Sequence, residues 1–246
     1  MDVITSGIAG FIAELVDGTL GMAFGVTANT FLQTAGFSPA VSSATIHTAE
    51  VFLTAASGAS HVKLGNVDKQ LFMKLVIPGT ITAVMGAYLL SEFSAPWLAS
   101  AVQTYLVAIG LLILLRAFGF RIFPSIRPSL LGAIGGFIDA VGGGGWGPVV
   151  TGTLIASNND PRTSIGSVNT AEFFVTVSQS IMFFILLRTA YINYFIPFAF
   201  GGLIAAPLGA WICKSLSRKA QRLLYILVGL LLITINTTKL LTFYKL

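Results

Sequence analysis

Glu50 and Glu172 are carboxylates placed about ten residues inside long apolar segments. An ionised acid at such a depth in a membrane costs at least about 3 kcal/mol unless it is paired, hydrated or protonated. Two roles answer that cost. The acids can be neutral at rest and titrate during a working cycle, which suits proton coupling, or they can be structural acceptors for the free amides of a broken helix. His47 and Asn169 each stand three residues before their glutamate, on the same helix face. His47 can relay a proton. Thr45 and Thr48, with Ser167 and Thr170 in the matching places, can donate to the oxygens of a bound solute, and Asn29 can line the same cavity. Glu14, Asp17 and Asp139 sit before or at glycine clusters, where they can line a water-filled route, relay protons or cap amides.

The glycines supply a second kind of chemistry. Gly142, Gly143, Gly144, Gly145 and Gly147 cannot form an ordinary helix interior, since each costs about 1 kcal/mol relative to alanine. Pro148 suits the first turn of a new helix, where a missing amide loses nothing. A half-helix is therefore expected to begin near Trp146 to Pro148, with free amides and a positive dipole end able to receive an anion. Asp17, Gly18 and Gly21 mark the equivalent place nearer the N-terminus. The competing reading is close helix packing through small residues.

These groups recur. Gly10-Phe11-Ile12-Ala13-Glu14 returns as Gly136-Phe137-Ile138-Asp139, Pro39 as Pro161, and the stretch from Thr45 to Phe52 as Ser167 to Phe174. Apolar segments cover 5–34, 40–61, 71–91, 97–118, 129–157, 164–188, 192–213 and 220–243. Six have about the length of one bilayer crossing; 5–34 and 129–157 are longer and hold the glycine clusters. The expected fold is an all-α polytopic membrane protein of two homologous repeats, 1–120 and 121–246. Each repeat has a glycine-broken first helix or re-entrant helical hairpin followed by three transmembrane helices.

Composition agrees. Of 246 residues, 55% are hydrophobic and only 9% charged, too few to cover a water-soluble surface. The net charge of +5 lies in short connections suited to lipid headgroups, so nucleic acid is not an expected partner. The lone cysteine, Cys213, has no disulfide partner in the chain. Zinc motifs, an ATP-binding loop and a Ser-His-Asp arrangement are missing from the sequence, so no cofactor and no enzymatic activity are expected.

Charge also bears on topology. If both long segments cross, the 14 basic residues split nine to five between the two sides. If both are hairpins, eleven share one side and only Arg188, Lys239 and Lys245 face the other, a stronger positive-inside pattern. Inverted repeats are therefore preferred, with both termini outside the cytoplasm.

The paired motifs around Glu14, Gly18 and Gly21, around Asp139 and Gly142 to Gly147, and around Glu50 and Glu172 resemble the sulfite exporter TauE/SafE family, also called the 4-toluene sulfonate uptake permease family. The resemblance spans essentially the whole chain. It implies a secondary transporter of the bacterial cell inner membrane, exporting sulfite or small organosulfonates such as sulfoacetate. It also implies a central site formed around Gly18, Gly21, Asn29, Thr45, His47, Thr48, Glu50, Gly143 to Gly147, Ser167, Asn169, Thr170 and Glu172. The first half departs from the commonest form of the motif, since Asp17-Gly18-Thr19-Leu20-Gly21 replaces a denser glycine run. Protons are the expected coupling ion, and a homodimer is compatible with the small-residue faces. A cation or divalent-metal permease using Glu50, Glu172, Asp17 and His47 is the alternative from the residues alone.

Overall fold

Proline and glycine set the helix boundaries. The structure is a computed structural model and describes residues 3–20, 22, 24–93, 96–120, 126–157, 159–188, 192–215 and 217–243. Gly21, one of the expected site residues, and Arg121 and Lys245, two of the basic residues in the charge comparison, lie outside them. The first segment is α1 (Val3–Leu20) and α2 (Phe24–Thr34), followed by α3 (Pro39–Lys63), α4 (Lys69–Glu92) and α5 (Pro96–Ala117). The second half repeats the plan. α6 (Pro128–Gly142) precedes a π-helical turn (Gly147–Thr151) that continues as α7 (Gly152–Ala156), and then come α8 (Pro161–Leu187), α9 (Ile192–Ser215) and α10 (Arg218–Phe243). Proline occupies the first turn of α3, α6 and α8, and Ser38 and Asp160 cap α3 and α8 through their side chains.

Among the described residues, Lys69–Glu92, Ser100–Ala117, Thr163–Leu187 and Tyr225–Thr242 are long and apolar enough to cross a membrane. α3 is also 25 residues long, but it buries Ser42, Ser43, Thr45, His47, Glu50 and Thr54. A helix of that kind faces a polar interior rather than lipid. The outer faces carry exposed Ile77, Ile81, Ile181, Phe184, Leu227 and similar residues, as contact with lipid tails requires.

Of the two breaks, only the first differs from expectation in position. The first lies between Leu20 and Phe24, later than the Asp17-Gly18 pair expected to mark it, and Gly18 is inside α1. The arms are therefore unequal, 18 and 11 residues in the first half. The second break falls at Gly143 to Trp146, where Gly143 (φ 65°) caps α6 in the left-handed region and Gly144 (φ 123°) follows. A helix start beside Pro148 was expected and is found.

The halves interlock. The first helix of each half packs along the second full-length helix of the other, α1 on α9 and α6 on α4, while α3 pairs with α8 and α5 with α10. Contact registers give the directions. Leu75 meets Gly132, Gly79 meets Gly136 and Gly86 meets Phe137 to Val141, so α4 and α6 run parallel. Phe198 meets Gly10 and Gly202 meets Glu14, so α9 and α1 do too. Thr54 meets Thr176, Gly58 meets Thr170 and His61 meets Asn169, so α3 and α8 are antiparallel. Gly110 meets Leu232 and Ile233 while Leu114 meets Gly229, which makes α5 and α10 antiparallel as well. Asp68 meets Ser167 and Phe72 meets Phe174, so α4 and α8 are parallel.

Candidate functional site

A shared capping device fixes both breaks. Asp17 accepts from the Phe24 amide at 3.0 Å, and Asp139 accepts from the Trp146 amide at 2.9 Å. In both, the acid at the end of one arm caps the first turn of the next, seven residues on. The equivalence is thus Asp17 with Asp139, not Glu14 with Asp139, and its offset of 122 residues also carries Pro39 onto Pro161 and Glu50 onto Glu172. The matching of Phe11 to Phe137 is corrected by four residues. Slipping by about one helical turn preserves the helix face, which is why the two glycine-phenylalanine motifs look alike.

The two breaks touch. Gly25, in the first turn of α2, lies backbone to backbone against Gly144, and a Cβ at either glycine would overlap the other strand of chain. Glu50 closes the same spot, its Oε1 3.1 Å from where a Gly25 Cβ would stand. Asn29 Nδ2 donates to Gly142 O and in turn its Oδ1 accepts from Gln33 Nε2 at 3.1 Å. Tyr105 donates to Gly144 O at 2.8 Å and Ser43 to Ala140 O at 2.7 Å, so the carbonyls freed by the break are held from three other helices.

His47 sits at the centre, fully buried and stacked on Phe183 at 6.3 Å between ring centroids. Its Nδ1 lies 2.7 Å from Glu50 Oε2, and its Nε2 lies 3.1 Å from the backbone oxygen of Asp139. A carbonyl only accepts, so Nε2 carries a hydrogen. The Nδ1–Oε2 contact then needs one further proton, held either on the imidazole or on the carboxyl. The pair in this geometry is therefore loaded with one shared proton, net neutral. Asp139 Oδ2 stands 3.7 Å from the same Nδ1 and accepts from Gln179 Nε2 at 2.9 Å. Asp139→Ala would leave the Trp146 amide and the Gln179 Nε2 donor without their acceptor. It is expected to lower stability by about 1–3 kcal/mol, the cost of an unmatched buried polar group, which a thermal-unfolding comparison in detergent would read.

The same offset of 122 defines a second cluster: Asp17, Ser57, Asn169 and Glu172 answer Asp139, Gln179, His47 and Glu50. It is looser. Asn169 Nδ2 donates to Ser57 Oγ at 3.2 Å and lies 3.5 Å from His61, while Glu172 is half-buried. Glu50 and Glu172 each lie four residues before Thr54 and Thr176, whose hydroxyls meet at 3.4 Å. At 1.5 Å per residue the two acids stand roughly 12 Å apart along the seam. A cleft of about 210 Å³ opens on the looser side, lined in part by Thr54, Gly58, Thr170 and Phe173. Glu172 lies within electrostatic reach of Glu14, Asp17, Glu50 and Asp139, so the two clusters sense one another's charge.

The remaining expected residues fall as follows. Glu14 is buried on α1 against Gly202. Thr45 donates to Val41 O in its own helix, and Thr48 Oγ1 is buried without a partner among the described residues. Ser167 fixes the α3–α4 connection through the Asp68 amide at 2.8 Å, and Thr170 donates to Gly166 O. Trp146 is wholly buried, its indole donating to Val168 O at 3.2 Å, and Gly145 and Gly147 are buried beside it. Sequence reasoning missed Gly25, Tyr105, Gln33, Ser43 and Gln179. Only Gln179 left a signal, seven residues after Glu172 and so two turns along α8.

Long apolar helices around buried acids and touching helix breaks define an all-α polytopic membrane protein with a polar centre. Residues 6–236 match the family model described as sulfite exporter TauE/SafE, and the chain belongs to that family. It is a membrane transporter and not an enzyme. It is 41% identical over 247 residues to the probable membrane transporter protein YtnM of Bacillus subtilis (strain 168), an alignment covering 95% of this chain and 81% of that protein. No solved structure matches the chain.

Proposed function

We propose that the chain is a proton-coupled secondary transporter of sulfite or small organosulfonates such as sulfoacetate, working as an exporter in the bacterial cell inner membrane. The observation that carries this reading is the contact of His47 with Glu50 and with the Asp139 carbonyl at the touching breaks, a geometry that requires one shared proton. An anion brought to within about 6 Å of an ionised carboxylate is repelled by about 3 kcal/mol at an effective dielectric of about 20. With five acids around the two clusters, cargo and proton favour moving together, and a dianion leaving with one proton still carries net negative charge out of an inside-negative membrane. Asn29, Thr48, Gly143 to Gly145 and the half-helix starts after Gly21 and Trp146 supply the donors on this reading.

Two inverted repeats, 1–120 and 121–246, complete the proposal. Helix directions support it: α4 runs parallel to α6 and to α8, so α6 and α8 point the same way and the chain must double back between them. α7 is then the returning arm of a re-entrant hairpin. The tight cluster at His47 and the looser one at Asn169 would exchange roles as access alternates.

A second reading has its own observation. Ligand atoms of His47, Glu50 and Asp139 all lie within 4.8 Å of one another, a spacing that suits a metal cation as cargo. Flux in proteoliposomes separates the two. Saturable sulfite and sulfoacetate uptake, unaffected by manganese or zinc, is expected; metal uptake without anion flux would put the cation reading first.

A further inference from the structure

A cation stands apart from the acidic centre. Arg116, in the last turn of α5, sends its guanidinium across to the returning arm of the second half, where Nη1 donates to Pro148 O at 2.7 Å. The π-helical turn makes room for it electronically, because the Gly152 amide reaches Gly147 O instead of Pro148 O. Gly152 makes room sterically, since a Cβ there would overlap the guanidinium. The other two donors, Nε and Nη2, are buried with no hydrogen-bond partner among the described residues. The ion pairs found among those residues involve His47 alone.

One carbonyl does not offset a half-buried guanidinium whose Nε and Nη2 are out of water, and charges of this kind within a span mark ligand paths in membrane proteins. The offset of 122 residues brings Gly152 onto Thr30, and there the contact from α10 is neutral: Asn236 Nδ2 donates to Thr30 Oγ1 at 3.2 Å. The charge is thus particular to one half. A second cation sits at the same end, Arg222 lying 5.1 Å over the Phe118 ring two residues beyond Arg116.

We infer that Arg116, seated over Gly152, forms an oxyanion-binding station on the returning arm of the second half, outside the His47 centre. Its free edge is a planar pair of donors that fits two oxygens of a sulfite, sulfonate or carboxylate group. Gly152 is eight residues beyond Gly144, roughly 12 Å if helical, so the station holds cargo before or after the protonated centre does. This rests on the reading that the cargo is an oxyanion.

The test uses the full chain purified in detergent, with thermal stabilisation followed during separate titrations of sulfite and sulfoacetate against a chloride control. Arg116→Gln should raise the half-saturating sulfite concentration by at least about tenfold, the worth of one charge-assisted hydrogen bond. Arg116→Lys should fall between, and Lys74→Gln, which removes an exposed cation elsewhere, should leave the curve in place. If Arg116→Gln does not fold, Gly152→Ala pushes the guanidinium aside and should shift the curve the same way. Equal half-saturation in wild type and in these variants, or no stabilisation of wild type by either oxyanion, would overturn the station. Arg116-dependent binding without vesicle flux would sink the transport reading alone, whereas flux with Arg116-independent binding would sink the station alone.

Discussion

Gly144→Ala is expected to abolish the folded yield of the protein or lower its stability by more than about 4 kcal/mol, beyond what single substitutions ordinarily cost. Two penalties meet there. At φ 123° an L side chain pays about 1–3 kcal/mol of backbone strain. The new methyl would also be driven into the Gly25–Val26 backbone, which cannot yield without parting the two broken segments. Gly36→Ala is the matched control, because Gly36 has φ 90° and nothing within 4 Å of a Cβ. It should cost only the strain. Size-exclusion yield and melting temperature in detergent measure both variants, and equal losses would show that contact between the breaks is not what holds the centre.

Glu50→Gln should fold nearly as well as wild type and yet lose gradient-driven flux by at least about 100-fold, the usual scale of a positioned proton donor's contribution. The amide can donate to His47 Nδ1 and so copies the form of the pair in which the carboxyl holds the proton. It cannot release that proton. Exchange of labelled for unlabelled sulfite across the membrane needs no net proton movement and should survive. Loss of exchange and gradient-driven flux together would assign Glu50 to holding the cargo instead of coupling it.

Much of this was legible because apolar length and proline placement are local signals. The expected segment 40–61 became α3 at Pro39–Lys63, 71–91 became α4, and 164–188 became α8, with ends a few residues away. The Gly142 to Pro148 run announced its own break. The first break was misplaced because Asp17-Gly18 imitates one, while a single glycine is tolerated within a helix. The decisive signal was a spacing: Asp17 to Phe24 equals Asp139 to Trp146, and both acids cap the next arm. What stayed hidden is tertiary. Nothing along the chain says that Tyr105 reaches Gly144, that Ser167 serves the α3–α4 connection, or that Arg116 crosses to Pro148. Ser167, Asn169 and Thr170 read as partners of His47 in a single site, whereas the antiparallel α3–α8 seam sets the two clusters on opposite sides of the Thr54–Thr176 contact.

The most direct measurement is labelled-sulfite flux in proteoliposomes of the wild-type chain, with an imposed pH gradient and without one. The shared proton at His47 and Glu50 predicts accumulation of sulfite that follows the gradient and collapses when a protonophore dissipates it. Sulfite flux of the same size with and without the gradient would contradict proton coupling at that centre.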